Sequence, residues 1–237
     1  MTFEDKYEPQ TVAELIFADK AAQETCQRYA TGKPYKPLML WGPPGTAKTT
    51  TARVIVRERY RAAGYDGPVE EFNGADLKPA DFNKLLNATN MLQFACGEAL
   101  LLINEFDEIA EQDQPKFRSW MDDHKSVNLI VTTNEQPGVQ GVKQKIMRPL
   151  QSRFERVELA PPSLQNCLPR AHAILQQEGL TVSTQDVRVL LSTFNGDIRD
   201  MLPLILFVKN SFRLPVRDFE IPGSMREISP AIWISCW

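Results

Sequence analysis

Short runs of apolar residues alternate with longer helix-forming segments over the first 160 residues of the chain. Continuous apolar runs of this kind are typical of strands buried in a parallel sheet. The predicted strands are Leu38 to Trp41, Val69 to Phe72, Ala99 to Ile103, Val127 to Val131 and Arg156 to Leu159. Helices are predicted over Asp19 to Tyr29, 49 to 62, 79 to 95 and 111 to 123. This alternation predicts an α/β fold with a five-stranded parallel sheet flanked by helices.

The pair Pro161-Pro162 ends the alternation and predicts a domain boundary. An α/β domain over residues 1–160 is therefore expected to precede a small helical domain over residues 161–211. The helical segments of this second domain are Leu164 to Glu178, Thr184 to Phe194 and Asp197 to Lys209. The tail over residues 212–237 contains three prolines and no sustained period, so no structure is assigned to it.

Composition excludes several functional classes. The chain has 237 residues, 43% of them hydrophobic, which suffices for one good core and a smaller second one. Its formal net charge is −3, so any DNA contact must come from a local basic patch. The four cysteines are far apart and the two histidines isolated, which favours reduced thiols over a zinc site or disulfides. Without an apolar signal segment or a membrane-length run, a soluble cytoplasmic protein is expected.

The turn after the first predicted strand carries the strongest chemical signal. A strand, a glycine-bearing turn and a helix form the context of a phosphate-binding loop, because amides at the helix start bind phosphates. Lys48 would add a positive charge for the outer phosphates, and the hydroxyl of Thr49 would ligate Mg²⁺. The alternative is a Pro-Gly surface turn before an ordinary lysine. The predicted phosphate-binding residues are Gly42, Pro43, Pro44, Gly45, Thr46, Ala47, Lys48, Thr49 and Thr50.

Ala47 departs from the pattern G-x-x-x-x-G-K-[ST], in which a glycine precedes the lysine. The methyl group of alanine is tolerated in a helical conformation but costs free energy in a left-handed one. We therefore expect little effect if Ala47 lies in the first helical turn.

A polar and acidic cluster, Asn104-Glu105-Phe106-Asp107, follows the most apolar strand. Ligands of open parallel sheets bind at the carboxyl ends of the strands, so this cluster would face the phosphates. Glu105 would orient the attacking water, and Asn104 would bind Mg²⁺ through a water with one negative charge fewer than an aspartate. The alternative is a strand that runs into an acidic turn.

The roles of three further residues are left open by the residues alone. Asn134, at the end of the fourth predicted strand, can contact the γ-phosphate or the attacking water, or it can simply cap a turn. Tyr7 and Pro9 can form an apolar shelf for a base, or they can pack at the chain entry.

With these motifs in order, the chain resembles the AAA+ ATPase subunits of sliding-clamp loaders, both the bacteriophage type and the small subunits of replication factor C. The resemblance covers roughly residues 4 to 210. It rests on Lys6-Tyr7-Glu8-Pro9 beside the adenine, the phosphate-binding loop, Phe72-Asn73-Gly74-Ala75-Asp76, Asn104-Glu105-Phe106-Asp107, and Asn134 at sensor 1. Glu8, Ala47 and Asn104 depart from the family pattern. The resemblance implies a P-loop NTPase core with a helical lid.

Two arginines gain a role only from the resemblance, since each would otherwise be an ordinary surface arginine. Pro149-Leu150-Gln151-Ser152-Arg153-Phe154 resembles the Ser-Arg-Cys motif, which implies that Arg153 reaches the ATP of the neighbouring subunit. Gly196-Asp197-Ile198-Arg199 resembles sensor 2, which implies that Arg199 contacts ATP in cis.

The resemblance implies ATP and Mg²⁺ as cofactors and a hetero- or homo-oligomer of clamp loader subunits that acts on a sliding clamp and primer-template DNA. Lys78 and Lys116 match basic positions that would contact DNA, although both can be solvated lysines. Two alternatives remain: a hydrolytically weakened scaffold subunit, and another AAA+ remodelling ATPase. A phage-derived chain would act in the host cytoplasm, and the tail is too short for the family's helical collar.

Overall fold

A computed structural model describes residues 2–32, 36–97, 99–125, 127–139, 143–180, 182–191 and 196–213. Contacts divide the chain into two compact units, one of residues 9–161 and one of residues 1–8 with residues from 162 onward. The second unit begins where the Pro161-Pro162 pair predicts a boundary. Residues 1–8, which the sequence assigned to the α/β domain, group instead with the helical unit. The predicted tail lies outside the described residues from position 214 onward.

The larger unit contains a five-stranded parallel sheet in the order β2-β3-β4-β1-β5, which confirms the predicted fold class. Two strands extend further than predicted because polar residues continue the pairing. Asn104 of β3 pairs with Asn73 of β2, and Thr132 and Thr133 of β4 pair with β1. The strands are β1 (Leu38–Trp41), β2 (Glu71–Asn73), β3 (Leu100–Asn104), β4 (Asn128–Thr133) and β5 (Glu155–Glu158).

Helices fill the connections between the strands. Two short helices, α1 and α6, have no counterpart in the sequence prediction, and α5 begins at Gln114 instead of residue 111, with a proline in its first turn. The helices are α1 (Phe3–Lys6), α2 (Lys20–Thr31), α3 (Lys48–Ala62), α4 (Phe82–Cys96), α5 (Gln114–Asp123), α6 (Arg148–Gln151), α7 (Leu164–Gln177), α8 (Thr184–Leu190) and α9 (Ile198–Arg213). No helix among the described residues combines the length and apolarity that crossing a membrane requires.

An aromatic cluster stabilises two turns that carry predicted site residues. Phe106 follows Glu105 directly, Phe154 follows Arg153 directly, and the two rings pack with centroids 5.3 Å apart. Phe106 is 1% exposed and Phe154 is 4% exposed. Burial of such side chains stabilises the fold by roughly 2–3 kcal/mol each. The cluster therefore fixes the backbone beside both residues. Its other members are Phe82, Phe117 and Trp120.

An ionic cluster around Glu178, just beyond the end of α7, connects the N-terminal residues to the helical unit. The carboxylate of Glu178 accepts hydrogen bonds from the ammonium of Lys6 and the hydroxyl of Tyr7, both at 2.6 Å, and lies 2.7 Å from Lys209. These partners, Lys209 first, lower the pKa of Glu178 to about 2. Because Tyr7 and Lys6 bind this carboxylate, residues 1–8 belong to the helical unit.

Candidate functional site

The loop between β1 and α3 requires glycine at its first position. Gly42 has a φ of +154°, and a Cβ at this position would lie 2.3 Å from the carbonyl oxygen of Leu159. Any larger residue would therefore displace the loop from β5. Thr46 is buried, and its hydroxyl donates to the carbonyl of Pro43 at 3.0 Å, which closes the turn over Pro44 and Gly45.

Ala47 has a left-handed conformation, with φ 59° and ψ 28°, and it precedes α3 as the N-cap residue. The condition for a small effect, a position in the first helical turn, is therefore not met. A left-handed alanine costs roughly 1–2 kcal/mol, which the glycine of the usual pattern avoids. The carbonyl of Ala47 accepts the first helical hydrogen bond, from Thr51 at 2.8 Å. Amides of a first helical turn have no partners within the helix, so those at the start of α3 suit an anion.

Lys48 folds back over the loop that precedes it. Its ammonium group donates to the carbonyl of Gly42 at 2.9 Å and to that of Pro43 at 2.7 Å. A phosphate bound in the loop would compete with these carbonyls for the ammonium group. The structure thus places the charge of Lys48 at the loop where the sequence predicts it.

Asn104 connects the phosphate-binding loop to the end of β3. Its side-chain oxygen accepts hydrogen bonds from the hydroxyls of Thr49 and Thr132, each at 3.1 Å. Its side-chain nitrogen donates to the carboxylate of Glu71 at 3.2 Å. Arg53 binds the same carboxylate through two hydrogen bonds of 2.5 and 2.9 Å. The two predicted metal-binding residues, Thr49 and Asn104, are therefore in direct contact.

The oxygen donors at this contact fit a magnesium ion. Mg²⁺ prefers oxygen ligands and usually keeps several waters, with substrate phosphates completing its shell. The hydroxyl of Thr49 and the amide oxygen of Asn104 supply such donors, although neither carries a negative charge. Within the described part of the chain, no group of three or more His, Cys, Asp or Glu side chains could hold a metal ion. The nearest carboxylate to this amide in the hydrogen-bond network is that of Glu71.

Glu105 follows Asn104 at the sheet edge and also has a left-handed backbone, with φ 52° and ψ 49°. Its amide donates to the hydroxyl of Thr132 at 3.3 Å, and its carboxylate accepts from the side-chain amide of Asn73 at 3.3 Å. Gly74 permits this approach, because a Cβ there would lie 2.2 Å from the carbonyl oxygen of Glu105. Strained backbone of this kind concentrates at functional sites.

Asn73 lies within a motif of the family resemblance, but no role was predicted from the sequence for it or for Glu71. The available signal was their spacing. Residues two apart on a strand share a face, so Glu71 and Asn73 both point toward the face of β2 that meets Asn104 and Glu105.

Asn134 lies directly after β4 and is exposed. Because Thr133 pairs with Trp41 at the end of β1, Asn134 follows the strand adjacent to the one that leads into the phosphate-binding loop. The neighbouring Thr133 donates to the buried carboxylate of Asp107 at 2.8 Å. This bond ties the ends of β3 and β4 together, and the contact of Asn134 with phosphate or water stays a prediction.

Arg153 is held by its own chain. Its guanidinium group binds the carboxylate of Asp122 on α5 through two hydrogen bonds, of 2.7 and 2.5 Å, and also donates to the carbonyl of Pro149. The hydrogen bonds from Arg153 keep the pKa of Asp122 below its ordinary value. With 29% of its side chain exposed, Arg153 lies at the surface, as a residue that reaches a neighbouring subunit must.

Two other predicted nucleotide contacts lie in the helical unit. Arg199 is exposed and pairs with Asp197 at the start of α9, at 2.5 Å. Tyr7 is 4% exposed and its hydroxyl donates to Glu178. This geometry corresponds to the alternative in which Tyr7 packs against its own chain instead of a base. Pro9 is half-buried and belongs to the larger unit. The contacts of these three residues with ATP stay predictions.

The surface of the larger unit presents the two lysines predicted for DNA and an apolar pair that sequence reasoning missed. Lys78 and Lys116 are exposed, and the ammonium of Lys116 lies 3.4 Å from the carboxylate of Asp113. On α4, Met91 is 73% exposed and Phe94 is 95% exposed. Residues three apart on a helix are neighbours, so these side chains form one apolar patch. The signal in the sequence was the presence of large apolar residues on both the buried and the outer face of α4.

Comparison with known proteins gives one family and a set of relatives. A sequence model of the ATPase family associated with various cellular activities (AAA) matches residues 38–162. Replication factor C subunit 5 of Mus musculus is 26% identical over 212 residues, which cover 88% of this chain and 60% of the relative. Replication factor C subunit 3 of Saccharomyces cerevisiae is 26% identical over 218 residues, covering 90% and 62%. The chain thus spans about 60% of the length of these curated relatives.

Solved structures show the same fold. The RuvB Holliday junction branch migration motor of Thermotoga maritima matches with a TM-score of 0.65 at 18% identity, over 88% of this chain and 66% of that one. Domain III of the replication initiation protein DnaA of Thermotoga maritima matches with a TM-score of 0.61 at 15% identity, over 91% of this chain and 94% of that one. At such identities the similarity establishes the architecture, and the site must be argued from its own residues.

Proposed function

Because the chain belongs to the ATPase family associated with various cellular activities, we propose that it binds and hydrolyses ATP as one subunit of a clamp loader. The loader would open a sliding clamp and place it on primer-template DNA. The observation that carries the ATPase part is the 3.1 Å hydrogen bond between Thr49 and Asn104. This bond joins the phosphate-binding loop to the acidic end of β3, which are the two halves of a phosphoryl-transfer site.

In this proposal each side of the site has a separate task. The amides at the start of α3 and the ammonium of Lys48 bind the phosphates, and Thr49 and Asn104 hold Mg²⁺. When bound, Mg²⁺ neutralises negative charge that develops on the phosphates. Glu105 orients the attacking water, and Asn73 fixes the direction of its carboxylate. Asn134 and Arg199 would contact the terminal phosphate region from the same chain.

A second candidate function is a nucleotide-binding scaffold that hydrolyses ATP weakly. The strained Ala47 and the uncharged Asn104 both favour it, since one disturbs the loop and the other lowers the attraction for Mg²⁺. In that case the chain would serve its neighbour mainly by supplying Arg153. The two functions share the nucleotide site and differ only in turnover.

The clamp loader part of the proposal is supported by the similarity to replication factor C subunits and by the position of Arg153. An arginine aimed at transition-state charge accelerates phosphoryl transfer strongly when a neighbour supplies it. Since Arg153 is at the surface and hydrogen-bonded to Asp122, assembly would have to redirect it toward the ATP of the next subunit. We therefore propose that hydrolysis depends on a hetero- or homo-oligomer.

For the partners, we propose that the patch of Met91 and Phe94 contacts the sliding clamp. Exposed apolar pairs of this kind mark protein interfaces, because burying them removes apolar surface from water. Lys78 and Lys116 are the proposed contacts with the DNA backbone. A Phe94→Ser variant should bind ATP normally but lose clamp binding, whereas a Lys78→Ala, Lys116→Ala variant should lose affinity for primed DNA.

The central test measures ATP binding by calorimetry and ATP turnover with partner subunits, clamp and primed DNA present. Glu105→Gln should reduce turnover by about 100-fold or more while ATP binding persists, because only the orientation of water is lost. Glu108→Gln is the matched control, since Glu108 lies on the next turn and pairs with Lys145. Normal ATP binding with no wild-type turnover would favour the scaffold. Turnover stimulated by a protein substrate instead of clamp and DNA would favour another remodelling ATPase.

A further inference from the structure

Four side chains around Asn104 fix which way its carboxamide points. Thr49 and Thr132 both donate hydroxyl hydrogens to its oxygen, so this oxygen faces the phosphate-binding loop. The carboxylate of Glu71 accepts from its nitrogen and cannot donate, so the nitrogen faces β2. Arg53 binds Glu71 through two hydrogen bonds and thereby holds the carboxylate in place.

These side chains form a chain of hydrogen bonds that begins and ends on α3. Arg53 lies four residues after Thr49, which is one turn further along the same face of the helix. Thr49 binds Asn104, Asn104 binds Glu71, and Glu71 binds Arg53. The side chain of Glu71 is 28% exposed, so its charge is partly shielded from water. The carboxylate of Glu71 thus stands directly behind the amide of Asn104, where it also offsets the positive charge of Arg53.

We propose that Glu71 is a positioning residue that supplies the negative charge absent at position 104. This inference rests on the proposed function, since it concerns the magnesium ion of the nucleotide site. Glu71 orients the amide oxygen of Asn104 toward Thr49 and attracts the cation through that polarised amide. Residues behind metal ligands act in this way in many sites, and their removal commonly lowers metal affinity by roughly 10- to 100-fold.

The same geometry predicts how an aspartate at position 104 would behave. An aspartate there would put a second carboxylate within about 3 Å of Glu71, and like charges at that distance disfavour ionisation of both. Asn104 and Glu71 therefore form a matched pair, in which the charge lies on β2 instead of β3. Replacing Asn104 by aspartate alone should bring no gain, whereas moving the charge in a double variant should restore the site.

The experiment compares Mg²⁺ titrations of ATP binding, with binding in EDTA as reference, for the wild-type chain, Glu71→Gln, Asn104→Asp and the double variant. Glu71→Gln should raise the Mg²⁺ concentration at half-effect by about tenfold without weakening ATP binding in EDTA. Asn104→Asp should also raise the Mg²⁺ concentration at half-effect, and in the double variant this concentration should return close to that of the wild-type chain. Glu70→Gln, which removes the same charge from the adjacent residue, should change nothing.

Several outcomes would overturn the inference. If Glu71→Gln and Glu70→Gln gave the same Mg²⁺ concentration at half-effect, Glu71 would have no role in binding the ion. The same would follow if Asn104→Asp alone bound Mg²⁺ more tightly than the wild-type chain. A double variant as weak as the worse single variant would show that the pair merely supports folding. Thermal unfolding without nucleotide identifies that case directly. A wild-type chain that binds no ATP in Mg²⁺ or in EDTA would overturn the proposed function and the inference together.

Discussion

The carboxyl edge of the sheet and the surface around Arg153 belong to the same unit but are built in opposite ways. At the edge, side chains from three strands and one helix meet in a network, and the backbone is strained at Ala47 and Glu105. At the surface, one guanidinium group is held by one carboxylate, that of Asp122. The first region is formed by side chains of one chain, whereas the second is the one that we propose acts on a neighbouring subunit.

This difference shows which kind of site can be preformed in a single chain. A site whose ligands all come from one chain gains from rigidity, because orientation is fixed before the substrate arrives. A residue that acts on a neighbouring subunit must remain able to leave its local contact. An exposed ion pair contributes little to stability, so a partner can replace it at low cost. The following changes break or sharpen this contrast.

Removal of Arg153 should have the largest effect, because it should abolish most turnover of the complex without affecting ATP binding by the single chain. Arg153→Ala should lower turnover of the assembled complex by about 1000-fold, because the charge aimed at the neighbour's transition state is lost. ATP binding by the variant chain alone should be unchanged. Assembly with partner subunits followed by turnover measurements checks this, with Arg156→Ala as a control that removes the same charge nearby. Equal loss in both variants would contradict a specific role for Arg153.

Gly42→Ala should distort the loop between β1 and α3 at the carboxyl edge of the sheet. A Cβ at Gly42 would lie 2.3 Å from the carbonyl oxygen of Leu159, so the loop must move away from β5. Overpacking of this kind costs roughly 1–3 kcal/mol, and the displaced loop should lose ATP affinity. Gly64→Ala is the matched control, since Gly64 also has a positive φ, +78°, but nothing within 4 Å of a Cβ. Denaturant unfolding and calorimetry with ATP measure both effects, and equal losses would refute the contact explanation.

Much of the fold and of this edge could be predicted from the sequence, for physical reasons. Buried parallel strands are continuous apolar runs, so β1 and β3 were predicted within one residue of their observed ends. The order of strand, glycine turn and helix indicated the loop. Thr49 and Asn104 were predicted for one metal site because ligands of parallel sheets bind at the carboxyl ends of the strands. By contrast, β2 is short and mostly polar, so neither its bounds nor the role of Glu71 was visible.

Three features lay beyond sequence reasoning because they depend on tertiary contacts. The left-handed backbone of Ala47 is imposed by the loop and not by its own preference. Asp122 becomes the partner of Arg153 only once α5 and α6 are placed. Residues 1–8 join the helical unit because Glu178 binds Lys6 and Tyr7, more than 160 positions away. Long-range partners of this kind have no local pattern.

Ala47→Gly should relieve part of the strain at the edge. Glycine adopts the left-handed conformation without steric cost, so the free energy of unfolding should rise by about 1 kcal/mol and ATP affinity should increase. Ala62→Gly provides the control, because a glycine at that helical position should lower stability instead. Denaturant unfolding of both variants with and without ATP gives the result. Changes of the same sign in the two variants would show that the backbone at Ala47 is not strained.

Asp122→Asn should have the smallest effect and the most specific one. The amide cannot form a charged pair with Arg153, so the guanidinium group should be released from its own chain more easily. Turnover of the assembled complex should rise by up to about fivefold, the range expected for loss of an exposed ion pair, while ATP binding by the single chain stays unchanged. Asp123→Asn removes the same charge from the next residue of α5 and should leave turnover as it is. A decrease in turnover with Asp122→Asn alone would mean that Asp122 directs Arg153 toward the neighbouring subunit, and that the contrast between a fixed edge and a releasable arginine does not hold.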